Sequence, residues 1–270
     1  MDLERSRSSM EDDEKVDLPG TESGDETELK KGFWGKREIT ENPEVVERIK
    51  ELGIEHVNLN DAKEQWQFKV AEAVEDMYAE YPELQGYLGR IRVTDLPEGV
   101  YACVGPVMDK EGFHAELLLS REKFSQGNLE WKLVDMEVKN FRGESWFAGS
   151  GLEGVLKHEL AHVMHLRMIA EAEGLKPGEI DREKFKRIQE KYDHNAIAVE
   201  MCYGTIKELG ISPRDIGKEL STYGSKNFGE FFAEAISEYE TAKHPRKVAT
   251  MVHDKYVAYV NGLGNLEKEE

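Results

Sequence analysis

The sequence predicts an α+β fold: a small mixed sheet in the N-terminal half, one long central helix, and a mainly helical C-terminal part. Three observations carry this. Strand-like runs occupy residues 87–93, 100–107 and 114–119, with Gly-, Pro- and Asp-containing breaks between them. A helical spacing of apolar side chains then runs through Leu152, Val155, Leu156, Leu160, Val163, Met164, Leu166 and Met168. Beyond it come helical patterns at 181–192, 194–209, 228–241 and 246–260.

Taken in order, residues 1–31 are dominated by Asp, Glu, Ser, Gly and Lys. That composition predicts a disordered acidic tail, too poor in apolar groups to offset its ordering entropy. The domain proper is expected over 32–270, with an N-terminal α/β part at about 32–174 and a helical part at about 175–270. Gly32-Phe33-Trp34-Gly35 forms a short aromatic island expected to pack on it. Helices are predicted at 44–52 and 61–81, the second marked by Trp66, Phe68, Val70, Val74 and Met77. Residues 132–139 alternate Val134, Met136 and Val138 against Asp135, Glu137 and Lys139, which predicts a further strand. Ser150 with Glu153 reads as a capping box, and Gly174 with Pro177 as a stop, so the central helix is placed at Gly151–Glu173. The acidic end at 266–270 is expected to fray.

Composition excludes several functions. A chain of 270 residues with 39% hydrophobic content can bury a full core. Its formal charge of -19 repels phosphate backbones, so a nucleic-acid partner is not expected. Cys103 and Cys202 are too few for a disulfide framework and read as core thiols, one disulfide at most. The chain shows no leader-like apolar segment and no apolar run long enough for a membrane span, so a soluble protein, cytoplasmic or virion-associated, is expected. Serine-nucleophile elbows and glycine-rich phosphate loops are absent.

The segment that carries chemistry is His158-Glu159-Leu160-Ala161-His162. Residues four apart on a helix stand one above the other, so two imidazoles can converge on one ion with Glu159 beside it. This H-E-x-x-H spacing is the one zinc peptidases use to hold and activate water. Its alternative is an amphipathic helix with two solvated or core-packed histidines. His165 adds an imidazole three residues further on, on nearly the same face, open to ligating, supporting or packing; with Glu230 available as a ligand, a supporting or packing role is expected. His114, His194, His244 and His253 show no ligand spacing and read as packing or capping residues.

A catalytic zinc needs a third protein ligand. Glu230 and Glu234 lie four apart in Asn227-Phe-Gly-Glu230-Phe-Phe-Ala-Glu234, so both carboxylates face one way. Spacing leaves open which would bind metal and which would hydrogen-bond a ligating histidine. Glu230 can equally close a capping box with Asn227, and Glu234 can be an ordinary helix-face carboxylate.

The stretch Ser221-Thr-Tyr223-Gly-Ser-Lys-Asn227-Phe-Gly-Glu230-Phe-Phe-Ala-Glu234-Ala, downstream of H-E-x-x-H, resembles the catalytic end of the anthrax-lethal-factor-like zinc metallopeptidases. Similar domains occur in bacteriophage head-associated proteins, and residues 58–93 are similar to the start of such domains. The resemblance implies a zincin-like fold and a Zn2+ cofactor held by His158, His162 and Glu230. It implies Glu159 as the general base, Tyr223 as the hydrogen-bond donor to the transition state, and Glu234 as the partner of a ligating histidine. The implied activity is peptide-bond hydrolysis, on a peptide or protein substrate lying along a sheet edge at 114–119 or 132–139. Phage structural proteins are possible partners. The rival expectation is a catalytically silent zincin-like structural or interaction module of a phage particle.

Overall fold

The computed structural model describes residues 39–138 and 146–262. The predicted tail, the aromatic island at 32–35 and the acidic end at 266–270 lie outside the described residues. The fold is α+β, with a small four-stranded mixed sheet and mainly helical content elsewhere.

The first helix, α1 (Pro43–Glu51), begins where sequence signals favour it. Pro43 occupies the first turn, and the Asn42 side chain accepts from the Glu44 amide at 2.9 Å. Strand β1 (His56–Asn58) follows, then α2 (Glu64–Glu80) and a 3-10 turn at Pro82–Leu84. Helix α2 starts three residues later than its pattern suggests, because Asp61 sits at φ 71, outside helical space. Its buried face includes Gln67 rather than Phe68: the Gln67 amide donates to the Ala62 carbonyl at 2.7 Å and accepts from the Asn42 amide at 2.6 Å. A fully satisfied amide is tolerated in the core.

Strands β2 (Leu88–Thr94), β3 (Ala102–Asp109) and β4 (Gly112–Ser120) complete the sheet in the order β1-β2-β4-β3. The first three neighbours run parallel, and β3 runs antiparallel to β4, with Val104 opposite Leu117. Strand β4 is therefore internal, which corrects its expected place as a substrate edge. The edge beside the long central helix is β3.

A short helix α3 (Arg121–Phe124) leads to α4 (Leu129–Val138). Residues 132–138 of the predicted strand are thus helical, and Lys139 lies outside the described residues. Leu129 and Leu133, four apart, are both buried while Trp131 between them is exposed, so helical period outweighs the weak alternation that follows. Helix α4 also supplies the carboxylate of Glu130, 3.4 Å from the Leu152 amide at the start of α5 (Gly151–Glu173). The capping box expected from Ser150 and Glu153 does not form: the Ser150 side chain makes no capping bond, and Glu153 pairs with Lys157 at 3.2 Å. Gly174 closes α5 at φ 66, the left-handed position glycine adopts without strain.

The C-terminal part comprises α6 (Arg182–Asp193), α7 (Ala198–Leu209), α8 (Ile216–Glu219), α9 (Phe228–Thr241) and α10 (Lys247–Val260). His194 ends α6 instead of starting the next helix; its Nδ1 lies 2.6 Å from the Glu190 carbonyl. Helix α5 is buried along nearly its whole length, between β3 on one side and α9 on another. Buried cations on it are paired, Arg167 with Glu171 at 2.7 Å and Lys157 with Glu153.

The α5–α9 contact depends on small residues. Ser237 on α9 donates to the Gly154 carbonyl at 2.7 Å, and a Cβ on Gly154 would stand 2.6 Å from the Gly149 carbonyl carbon. Glycine to alanine inside an exposed helix ordinarily stabilises by ~1 kcal/mol. Here the sign should reverse: Gly154→Ala is expected to destabilise by roughly 1–3 kcal/mol through overpacking, read as a lower midpoint in urea unfolding. A stabilised Gly154→Ala protein would contradict this packing.

Candidate metal centre

Helix α5 presents His158 and His162 one above the other, with their Nε2 atoms 3.2 Å apart. The first turn of α9 brings Glu230 to them: its Oε2 lies 3.0 Å from His158 Nε2 and 3.5 Å from His162 Nε2. Asn227 caps that turn, its side chain accepting from the Glu230 amide at 2.9 Å. The capping is thus done by Asn227, and the Glu230 carboxylate is left for the histidines.

Three atoms with lone pairs therefore form a near-equilateral triangle. Glu230 Oε2 is buried, with the two histidines as its neighbours. An ion with bonds of about 2.0–2.1 Å in tetrahedral array spaces its ligands about 3.3 Å apart, so the donor set and its spacing fit a small divalent cation. Among the described residues, these three make the only group of its kind.

Glu234, one turn further along α9, is buried and stands 2.7 Å from His158 Nδ1. Its other oxygen accepts from the Ser221 hydroxyl at 2.8 Å and from the Ala148 amide. Ser221 in turn accepts from the Gly224 amide at 2.9 Å, tying the loop before α9 to the same carboxylate. This contact fixes which His158 nitrogen faces Glu230.

Burial opposes a charge on His158, but Glu230 and Glu234 outweigh it and raise the imidazole to about 10. Burial likewise opposes ionisation of Glu230, yet the two histidines hold it well below the usual carboxylate range. Without a metal, a proton on His158 thus offsets the convergence of acceptors.

Glu159 points from α5 toward β3. Burial raises its carboxyl above the ordinary value, against the opposing pull of His158, His162 and the Val104 amide hydrogen bond. Tyr223 packs its ring 5.6 Å from that of His158 and beneath Lys226, whose Nζ lies 3.6 Å above the ring centre. Burial, then Glu230 and Glu159, raise its phenol. Two adjoining cavities of about 410 and 380 Å³ share Val100, Ala102, His158, Glu159 and Tyr223 in their walls. The first is walled by Tyr101, Trp146, Phe147 and Val155, the second by Cys103, Tyr192, Asn195 and Glu230.

All six residues singled out in the sequence lie around this one place. His165 does not join the triangle. Burial lowers its imidazole to about 4, and its Nε2 lies 2.8 Å from the Ala196 carbonyl. Both cysteines are free, and burial pushes the Cys103 thiol up to about 11. Sequence reasoning missed the β3 segment, Tyr192 and Asn195. Only the positive φ tolerated by an asparagine such as Asn195 could have hinted at the last. No protein-family model matches the chain, and comparison with curated proteins and with solved structures finds no match.

A cation entering the triangle must displace the His158 proton. Affinity for a divalent ion should therefore rise about tenfold per pH unit from about pH 7 to 9 and level off as the imidazole loses its proton near 10. Calorimetric titrations in buffers of different ionisation enthalpy check this by counting released protons. Affinity independent of pH in that window would contradict the assignment.

Proposed function

We propose that the chain is a zinc-dependent endopeptidase of the zincin type, related to the anthrax-lethal-factor-like domains it resembles. The observation that carries the reading is the triangle of His158, His162 and Glu230 with the buried carboxyl of Glu159 beside it. A purely structural zinc site has a closed four-ligand shell and no use for a base at its side.

In this reading Zn2+ is held by His158, His162 and Glu230. When bound, zinc supplies Lewis-acid chemistry, acidifying water and polarising a carbonyl. Glu159 takes the proton of the attacking water and returns it to the leaving amine, a role suited to a carboxyl whose pKa is raised by burial. Tyr223 remains a protonated phenol and donates to the oxyanion that develops in the transition state. Glu234 keeps His158 in one tautomer and orientation.

The substrate is a peptide in extended form, paired main chain to main chain with the β3 edge. Val104 marks the inner limit of that pairing, because its amide already bonds Glu159 and its carbonyl the Tyr192 hydroxyl, 3.3 Å away. By strand alternation Ala102 faces the same open side, and Pro106, lacking an amide, limits the register beyond. Among the described residues, no helix is long and apolar enough to cross a membrane.

Two substitutions separate chemistry from metal binding. Glu159→Gln keeps shape and loses the base, so zinc content should hold while kcat for peptide cleavage falls by at least ~10²-fold. Loss of zinc in that variant would make Glu159 a ligand or a fold determinant instead. Tyr223→Phe removes one hydroxyl; kcat should drop by about 10²-fold with KM and zinc content nearly unchanged. If only the melting temperature moves, Tyr223 is a packing residue.

A further inference from the structure

Helix α5 and helix α9 must agree in register to within a few tenths of an ångström for their side chains to share an ion. Their direct contacts lie further along α9, Glu234 on His158 and Ser237 on the Gly154 carbonyl. A third element touches both.

The turn between α6 and α7 is held in a strained form. Asn195 adopts φ 55, and Ile197, a β-branched residue, adopts φ 69 with ψ -50. Such a conformation persists only where surrounding contacts over-determine it, and such positions cluster at functional sites. Two contacts here lead in opposite directions. From α5, one turn beyond His162, His165 Nε2 lies 2.8 Å from the Ala196 carbonyl, a bond from a side chain that is 1% exposed. From the turn itself, Asn195 Oδ1 accepts from the Gly229 amide at 3.1 Å. Gly229 immediately precedes Glu230.

The approach at Gly229 is close: a Cβ there would stand 2.4 Å from Asn195 Oδ1 and would have to push that side chain aside. Asn227 already caps α9 locally through the Glu230 amide. The bond from Asn195 comes from a separate element, so what it adds is position.

We infer that His165 and Asn195 form a positioning relay, running from α5 through the α6–α7 turn to Gly229, that sets the Glu230 carboxylate against His158 and His162. The inference rests on the zinc reading above and gives His165 a task that its place outside the ligand triangle left undefined. Neither residue belongs to the triangle; both act on where Glu230 stands.

The test is zinc affinity of the full chain, measured by competition with a chromophoric chelator, alongside the melting temperature of the metal-free protein. Asn195→Gly keeps the backbone conformation accessible and deletes the acceptor. It should weaken zinc on the order of 10-fold, as loss of an outer partner does. Asn195→Asp restores an acceptor at the same place and should recover most of that loss. His165→Leu should weaken zinc too, and the double variant no more than the stronger single, because one residue acts through the other. Should the Asn195 variants fail to fold, Gly229→Ala makes the same cut from α9 and should weaken zinc alike.

Wild-type affinity in Asn195→Gly or Gly229→Ala, or losses that simply add in the double variant, would overturn the relay. A wild-type chain that binds no zinc overturns the metal reading and the relay with it. A wild-type chain that binds zinc beside an unaffected Asn195→Gly overturns the relay alone.

Discussion

Two imidazole nitrogens and a carboxylate oxygen held 3.0, 3.2 and 3.5 Å apart repel one another unless positive charge lies among them. Everything around them keeps them together nonetheless. The Glu234 carboxylate holds His158 from behind, Gly154 of α5 and Ser237 of α9 meet closely with Gly149 of the preceding loop against both, and the cluster is mostly out of water. A proton on His158 meets the need in the metal-free protein. A divalent cation in its place would meet it with all three atoms at once, and on that ground we propose metal chemistry here rather than a buried ion pair kept for stability. A buried pair of that kind is seldom stabilising compared with well-packed apolar residues.

The layout of the fold follows from that requirement. Histidines one turn apart need a helix, and a helix with cavities along one side must be secured on the others. Helix α5 is accordingly packed by β3, α4, α6 and α9, with its buried Lys157 and Arg167 paired. The sheet contributes an edge. Strand β3, antiparallel where its neighbours are parallel, brings Val104 and Ala102 beside Glu159 and leaves one side of the strand toward the cavities.

Features set by local chemistry were legible in the sequence. Helix α5 ends at Gly174 and α9 starts at Asn227 as their signals predict, because a left-handed glycine and an asparagine cap act within a few residues of themselves. The vertical stacking of His158 over His162, and of Glu230 beside Glu234, follows from helical period alone. What was not legible depends on partners distant in sequence. The cap on α5 comes from Glu130, not from Ser150 or Glu153 beside it. The alternation at 132–139 imitated a strand, yet Leu129 and Leu133 needed a common buried face. Which strand forms the edge depends on the order β1-β2-β4-β3, a choice no single strand encodes, and Asn195 reaches Gly229 across 34 positions of sequence.

The central claim is that these three residues hold one zinc ion. X-ray absorption at the zinc edge, on protein purified without added metal and then loaded with one equivalent, tests it most directly. The account predicts a four-coordinate zinc with two imidazole shells near 2.0–2.1 Å, a carboxylate oxygen and one further light ligand, collapsing when His158 and His162 are replaced together by alanine. Zinc that remains fully hydrated in the wild-type chain, or that keeps the same spectrum in the double variant, would contradict it.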